Sequence, residues 1–315
     1  MPDQSSIKYR ALDMLHRSHA PKLSGRPPFW RPKAPECTPR VQVPSWAWHR
    51  PLTSDDGQFL TILDANGAYL SAAASVEVAH GTLVHTGGIQ FDRSLPGYWL
   101  VMAHPWPCWD RIMSPLGGRP GARRGSTGSA VWLTTPTVRL LEQLVDHGQW
   151  PDVEVLDSWT DERSIRLRTW ASAIRRDREA VHVRTCPTPN RDATCCAPHA
   201  QEARIKEGYA TAVVMLGQQH TKSPIYRPDW MNAIRAQSAA SIWRKAWGGL
   251  MQGYALVAAG HVDELVYPRR QAIELWSKAR AGLPVPVRID TSGIALGGFK
   301  VKAGSVPAEE WEGRG

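Results

Sequence analysis

The sequence lacks any apolar run that approaches the ~18 residues needed for a membrane-spanning helix. Charged Asp3, Lys8 and Arg10 near the N-terminus are followed by no apolar core, so this end does not predict a secretory signal. The five cysteines are odd in number and irregular in spacing, which argues against a disulfide framework. We therefore expect a cytoplasmic protein in a reducing environment, without a membrane partner.

The sequence also lacks a closed four-ligand zinc pattern. Segment 186–199, CPTPNRDATCCAPH, holds three cysteines and a histidine, but their spacing fits no such pattern and prolines interrupt it. We interpret it as an inserted loop, with zinc binding as the alternative.

No phosphate-binding P-loop is present either. The glycine-rich segment 117–128, GGRPGARRGSTG, is not followed by Gly-Lys-Ser or Gly-Lys-Thr. We expect a flexible hairpin tip whose Arg119, Arg123 and Arg124 contact a nucleic-acid backbone.

Basic residues are in excess, with a formal net charge of +9, which points to a polyanionic partner. Residues 1–50 hold nine Lys or Arg, three Asp or Glu and eight prolines, so we expect a poorly ordered basic arm. Its aromatic residues Phe29, Trp30, Trp46 and Trp48 are suited to stacking on the bases of single-stranded DNA. The alternatives are a solubilising tail or a remnant of a larger upstream domain.

Two acidic positions follow apolar strands. Residues 255–267, ALVAAGHVDELVY, predict two short strands with a bend at Asp263 and Glu264. Residues 59–63 predict a strand buried on both faces that ends at Asp64. If these strand ends are neighbours, the two aspartates form a site for paired divalent metal ions. The alternative is that Asp64 caps a helix beginning near Asn66.

The remaining pattern predicts an α+β fold, with helices covering one face of a mainly antiparallel sheet. Proline and aspartate open a helix over residues 229–247, and Arg235 and Lys245 lie off its apolar stripe, where we expect DNA contacts. Further strands are expected at 98–103, 130–134 and 153–159, and further helices at 136–147, 161–178 and 201–216.

Three segments carry a resemblance to a known family. Asp64-Ala-Asn-Gly-Ala-Tyr69-Leu-Ser resembles the first catalytic motif of family B DNA polymerases, and Gly260-His-Val-Asp263-Glu resembles their third. Lys206 lies where the family carries the lysine of its fingers helix. Order and spacing are similar to those of the protein-primed branch, and also to telomere-associated proteins of linear actinobacterial replicons. The resemblance covers about residues 45–303.

The resemblance implies a palm-like domain at 51–303, with fingers-like helices at about 161–217 and a disordered tail at 304–315. It also implies that Asp64 and Asp263 hold Mg²⁺ for two-metal nucleotidyl transfer. Lys206 would then bind the triphosphate, and Tyr69 would stack beneath the incoming sugar.

The chain also departs from the family pattern. His261 replaces the first aspartate of the third motif, and the polar residues and glycine expected after the fingers lysine are replaced by Ala210, Thr211, Val213 and Val214. From the residues that flank the resemblance, we expect no exonuclease domain and no full thumb.

Three hypotheses follow. The first is a DNA-binding protein of linear replicon ends, engaging single-stranded or terminal DNA and a terminal protein, with weak or absent catalysis. The second is a magnesium-dependent, template-dependent nucleotidyltransferase that extends a protein or DNA primer. The third is a truncated polymerase remnant without a function of its own.

Overall fold

The computed structural model describes residues 41–118, 130–182, 197–218, 226–261, 263–290 and 295–312, with the backbone alone at 197–199, 261 and 312. Several predictions from the sequence fall outside these ranges. They concern residues 1–40 of the basic arm with Phe29 and Trp30, the loop arginines Arg119, Arg123 and Arg124, and nearly all of the cysteine-rich segment.

Strands and α-helices alternate irregularly along the described part of the chain. The strands are β1 (Trp46–His49), β2 (Phe59–Ala65), β3 (Glu77–Ala79), β4 (Val84–His85), β5 (Gly97–Met102), β6 (Ala130–Thr134), β7 (Val155–Thr160), β8 (Ser164–Arg166), β9 (Ala258–His261), β10 (Glu264–Pro268) and β11 (Phe299–Pro307). The helices are α1 (Ala68–Ser75), α2 (Thr135–Asp146), α3 (Arg168–Val181), α4 (Ala197–Leu216), α5 (Pro228–Met251), α6 (Arg269–Arg280) and α7 (Ala308–Glu312).

The central element is a five-stranded sheet in the order β1-β9-β10-β2-β11, and every neighbouring pair in it is antiparallel. β2 is flanked on both sides, and its residues 60–65 are all buried, as its apolar sequence predicted. A second sheet, β4-β7-β5-β6, is also antiparallel, and β3 pairs with β8. The predicted α+β class with mainly antiparallel sheets is confirmed.

The two faces of the five-stranded sheet have different partners. Leu63, Leu265 and Phe299 face the main core, where they meet apolar residues of α5 such as Trp243. Because successive residues of a strand point to opposite faces, Ile62 and Val266 lie on the other face, in a smaller cluster. Asp64 and Glu264 share that second face, so the acidic residues project away from α5.

Two tryptophan side chains of β1 donate hydrogen bonds to backbone carbonyls outside the five-stranded sheet. Trp46 donates to the Ser114 carbonyl at 2.8 Å and Trp48 donates to the Trp109 carbonyl at 2.9 Å. Both side chains are almost fully buried. The interpretation of Trp46 and Trp48 as base-stacking residues is therefore wrong, because β1 inserts them into the core.

The predicted domain limits also need correction. β1 pairs with β9, so the folded unit begins before residue 51. β11 and α7 continue through residue 312, where Val306 and the partly buried Trp311 join the smaller apolar cluster. The segment beyond residue 303 is thus ordered by burial as far as the structure describes it.

The helix expected from residue 161 begins later, at Arg168. Residues 164–166 instead form β8, because their backbone pairs with that of β3. None of the helices in the described ranges has the length and apolar character needed to cross a membrane.

Candidate functional site

The centre of the candidate site is Asp64, near the end of β2. In register, it lies opposite Glu264 of β10 on one side and Lys300 of β11 on the other. The Lys300 Nζ is 3.5 Å from the Asp64 Oδ2. Asp64 lies within the strand, and the residue at the N-terminal cap of α1 is Gly67. The helix-capping alternative for Asp64 is therefore not what the structure shows.

Asp263 is brought to the same place by the backbone. The Ala65 N–H, one residue after Asp64, donates to the Asp263 carbonyl at 2.7 Å. Burial and the neighbouring charges of Asp64 and Glu264 raise the pKa of Asp263, while Lys206 and Lys302 oppose the rise. The backbone contact therefore brings Asp263 next to the end of β2 that carries Asp64, and the charge of the exposed Lys206 of α4 acts on Asp263.

Tyr69 is partly buried on α1 and packs between the two largest apolar clusters. Its predicted stacking beneath a sugar stays a prediction. Arg235 is half-buried on α5, and its DNA contact also stays a prediction.

Lys245 is directed inward. Its ammonium group donates to the Gly297 carbonyl at 2.5 Å and lies 5.1 Å from the centre of the Phe299 ring. Burial lowers the pKa of Lys245 to about 8. This geometry argues against the predicted DNA contact, since the ammonium group would have to leave Gly297 to reach a phosphate.

Arg178, which sequence reasoning missed, lies on α3 beside the Asp64 turn. It is 4% exposed, and its Nη2 donates to the Asn66 Oδ1 at 3.0 Å and to the Glu202 Oε1 at 2.9 Å. Its Nε and Nη1 find no hydrogen-bond partner among the described residues. The sequence signal for the burial of Arg178 is its spacing on the helix. It lies four residues after Ile174 and eight after Trp170, both of which are on the buried face.

Tyr209, the second missed residue, faces the same turn from α4. It is 2% exposed, and its hydroxyl has no hydrogen-bond partner within the described part of the chain. Burial and the charges of Asp64, Glu202 and Asp263 raise its pKa to about 12, against the opposing effect of Arg178. A buried hydroxyl without a partner among the described residues therefore lies beside Gly67, 3.5 Å from where a Cβ on that residue would be.

A divalent metal ion needs oxygen ligands, and Asp64 and Asp263 are the carboxylates that the sequence predicts for it. No group of three His, Cys, Asp or Glu side chains in the described ranges is arranged to hold a metal. Mg²⁺ often needs only one or two protein carboxylates, because it takes its other ligands from water and substrate phosphates. A cation held between the two aspartates would relieve the repulsion that Asp64 exerts on Asp263, and Mg²⁺ binding by this pair stays a prediction.

Comparison with solved structures identifies a DNA polymerase fold. The orthorhombic crystal form of Phi29 DNA polymerase gives a TM-score of 0.57 at 10% identity, over 94% of this chain and 52% of that chain. The Phi29 ternary complex with primer-template DNA and incoming nucleotides gives 0.53 at 10% identity, over 93% and 51%. The Phi29 complex with single-stranded DNA gives 0.52 at 11% identity, over 83% and 47%.

No protein-family model and no curated protein sequence matches the chain. At identities of 10–11% the structural likeness shows the fold alone. The chain therefore has a polymerase-like fold, consistent with a reduced palm region, and spans about half the length of the polymerase chains it matches. The fold expected from the resemblance to family B polymerases is confirmed, whereas the likeness to telomere-associated proteins stays a prediction.

Proposed function

We propose that this chain binds DNA through its polymerase-like fold, with weak or absent catalysis. The observation that carries the proposal is the backbone contact that brings Asp263 next to the Asp64 end of β2, in a fold shared with a DNA polymerase. The net charge of +9 supports a polyanionic partner. Structures of the similar Phi29 polymerase contain primer-template and single-stranded DNA, which supports DNA as that partner.

Weak catalysis is supported by the lysines around the carboxylates. Lys300 lies beside Asp64, Lys302 pairs with Glu264, and the charge of Lys206 acts on Asp263. Three ammonium groups thus balance three carboxylates, so the site attracts metal ions less strongly than an uncompensated acidic cluster would. Residues Ala210, Thr211, Val213 and Val214 on α4 also supply none of the side chains expected of the fingers motif.

Magnesium-dependent nucleotidyl transfer is the second candidate, and the proximity of Asp64 to Asp263 favours it. Bound Mg²⁺ would activate an attacking hydroxyl and stabilise charge on a phosphate, and Asp64 and Asp263 would hold it. Lys206 would position the triphosphate as a point charge. The N-terminus of α1, where Gly67 has no side chain to cap the helix, adds a positive dipole end close by.

We further propose that the DNA is the end of a linear replicon and that a terminal protein takes part. This rests on the sequence resemblance to telomere-associated proteins. Competition between linear and circularised DNA of one sequence tests it. Preference for the linear form supports end binding, and equal competition contradicts it.

Incorporation of labelled deoxynucleotide in the presence of Mg²⁺ separates the two candidates. We expect DNA binding without incorporation. Incorporation that is lost in Asp263→Asn but kept in Asp146→Asn, a matched change of an exposed carboxylate on α2, would establish the enzyme instead. A protein that neither binds DNA nor incorporates nucleotide would fit the truncated remnant and overturn both proposals.

A further inference from the structure

Helix α6 packs on the sheet face opposite to the one that carries Asp64 and Glu264. Its residues Ala272 and Leu275 are buried in the main core, together with Leu265 of β10. The outer side of α6 is exposed and includes three arginines, Arg269, Arg270 and Arg280. The helix therefore presents a basic surface on the other side of the sheet from Asp64.

The charges of these three arginines are not balanced within the described part of the chain. The one carboxylate of α6, that of Glu274, pairs with Lys278 at 2.7 Å, and the Lys278 ammonium group also donates to the Tyr254 hydroxyl at 2.9 Å. No carboxylate in the described ranges forms an ion pair with any of the three arginines. Exposed cations without counter-charges attract an anion from solution.

Two of the arginines lie over aromatic rings. The Arg269 guanidinium group is 5.9 Å from the centre of the Phe59 ring, and that of Arg280 is 5.2 Å from the centre of the Trp276 ring. Phe59 is 40% exposed and Trp276 is half-buried. Proteins that bind single strands combine basic groups for the backbone with aromatic rings and guanidinium groups on which bases stack. Both ends of α6 supply this combination.

The length of the surface favours a polyanion over a small anion. Arg269 and Arg280 are the first and last residues of α6. A helix rises 1.5 Å per residue, so the two arginine–aromatic pairs are about 16 Å apart along its axis. A single phosphate can contact only one of them, whereas a chain of phosphates can contact both.

Other polyanionic partners fit this surface less well. A helix that lies in a membrane interface buries its apolar face in lipid, but the apolar residues Ala272 and Leu275 of α6 are buried in the core. An acidic protein would use the arginines and leave the aromatic rings without a role. The charges and the rings together favour single-stranded DNA.

We infer that the outer side of α6 is a second surface for single-stranded DNA, where the three arginines contact phosphates and bases stack on the two arginine–aromatic pairs. This rests on the proposed DNA binding and adds a surface to the strand ends at Asp64. Because the two surfaces lie on opposite faces of the sheet, a short strand binds to one or the other, and only a longer strand engages both.

Fluorescence anisotropy of a labelled single-stranded oligodeoxynucleotide with the full chain, over a series of salt concentrations, tests the inference. The double variant Arg269→Gln/Arg280→Gln should lower the slope of log affinity against log salt concentration by about 1.4, since each phosphate contact to a single strand contributes roughly 0.7. Thermal melting checks folding. If this variant is unstable, Arg270→Gln/Arg280→Gln replaces it, with the same expected decrease.

Arg111→Gln/Arg163→Gln is the matched control, because it removes two exposed arginines outside α6. It should keep the wild-type slope. Lys278→Met changes α6 itself and should also keep that slope, because Lys278 already pairs with Glu274.

Photocrosslinking locates the strand on the protein. An oligodeoxynucleotide that carries 5-iododeoxyuridine should crosslink to the peptide that contains Trp276, and mass spectrometry identifies this peptide. The double variant Arg269→Gln/Arg280→Gln should lose most of this crosslink.

The inference is overturned if the double variant keeps the wild-type slope, and intact DNA binding in that case spares the proposed function. Equal losses of slope in the double variant and in Arg111→Gln/Arg163→Gln would show only an effect of net charge and also overturn it. Poly-glutamate that competes as well as the oligodeoxynucleotide would indicate an acidic protein partner, with the same consequence. If Lys206→Met binds DNA as the wild type does and the α6 double variant does not, the strand-end contact fails and the α6 surface stands.

Discussion

Among single residues, Gly67 is under a strong local constraint near the site. Its φ of +59° lies in the left-handed region, and a Cβ there would meet Leu296 at 2.8 Å and the Arg178 Nη1 at 3.1 Å. Gly148 has a similar φ of +67° with nothing within 4 Å. We expect Gly148→Ala to lower the free energy of unfolding by about 1 kcal/mol through backbone strain alone.

Gly67→Ala should lower the free energy of unfolding by roughly 1 kcal/mol more than Gly148→Ala does, because the added methyl group is also crowded. Urea denaturation of both variants measures the difference. Equal losses would show that the Asp64 turn accommodates the methyl group without strain.

Asp263 makes stability depend on pH. Its pKa is raised above the ordinary value of 3.8, chiefly by burial and then by Asp64 and Glu264. A carboxyl group with a raised folded-state pKa contributes stability below its unfolded pKa, and this contribution is lost as the pH rises through the folded pKa. Asp263→Asn should therefore have a higher Tm than the wild type at neutral pH, by a margin that shrinks as the medium is acidified.

Thermal melts over a pH series measure that margin. Asp146→Asn, which changes an exposed carboxylate on α2, should show no such trend. A margin for Asp263→Asn that is independent of pH would contradict the raised pKa.

The two aspartates could be predicted because each follows a short apolar strand and the polymerase motifs fix their order. Arg178 and Lys302 could not be predicted in the same way. Arg178 is buried only because Glu202 of another helix balances its charge. Lys302 reaches Glu264 only because of a register shift that no local pattern encodes.

Between elements, α3 and α4 are joined by an ion pair that is largely buried. The Arg178 side chain is 5% exposed and that of Glu202 is 17% exposed, and Glu202 also contacts His182 at 3.1 Å. Replacing Glu202 with Gln leaves the buried guanidinium without a counter-charge. We expect a loss of about 3 kcal/mol in the free energy of unfolding, as when one partner of a buried pair is removed.

Glu179→Gln is the control for this prediction, because Glu179 pairs with Arg175 on the exposed side of α3. It should cost about 0.5 kcal/mol or less. Chemical denaturation of both variants gives the comparison, and equal costs would mean that the Arg178 pair contributes no more than a surface pair.

The helices and strands with strong local patterns were predicted well, as α5 shows with its opening proline. The errors arose where pairing partners decide the outcome. The sequence predicts a helix over residues 161–178, but the pairing of residues 164–166 with β3 makes that segment the strand β8. The sequence predicts that Trp46 and Trp48 of the basic arm stack on bases, but the pairing of β1 with β9 places them in the core.

For the molecule as a whole, the proposed DNA contact centres on the strand ends where Asp64 and Asp263 lie side by side. The sheet face that carries Asp64 and Glu264 points away from α5, and Lys300 and Lys302 lie on the strand at its edge. We propose that DNA approaches these strand ends and that the exposed Lys206 of α4 contacts a phosphate there.

The most direct measurement is the DNA affinity of the wild type and of Lys206→Met over a series of salt concentrations, followed by fluorescence anisotropy. We expect the wild-type affinity to fall steeply with salt concentration. In Lys206→Met, the slope of log affinity against log salt concentration should decrease by about one, the value for one lost phosphate contact. Lys278→Met should keep the wild-type slope. Binding that is absent, independent of salt, or unchanged in Lys206→Met would contradict the account.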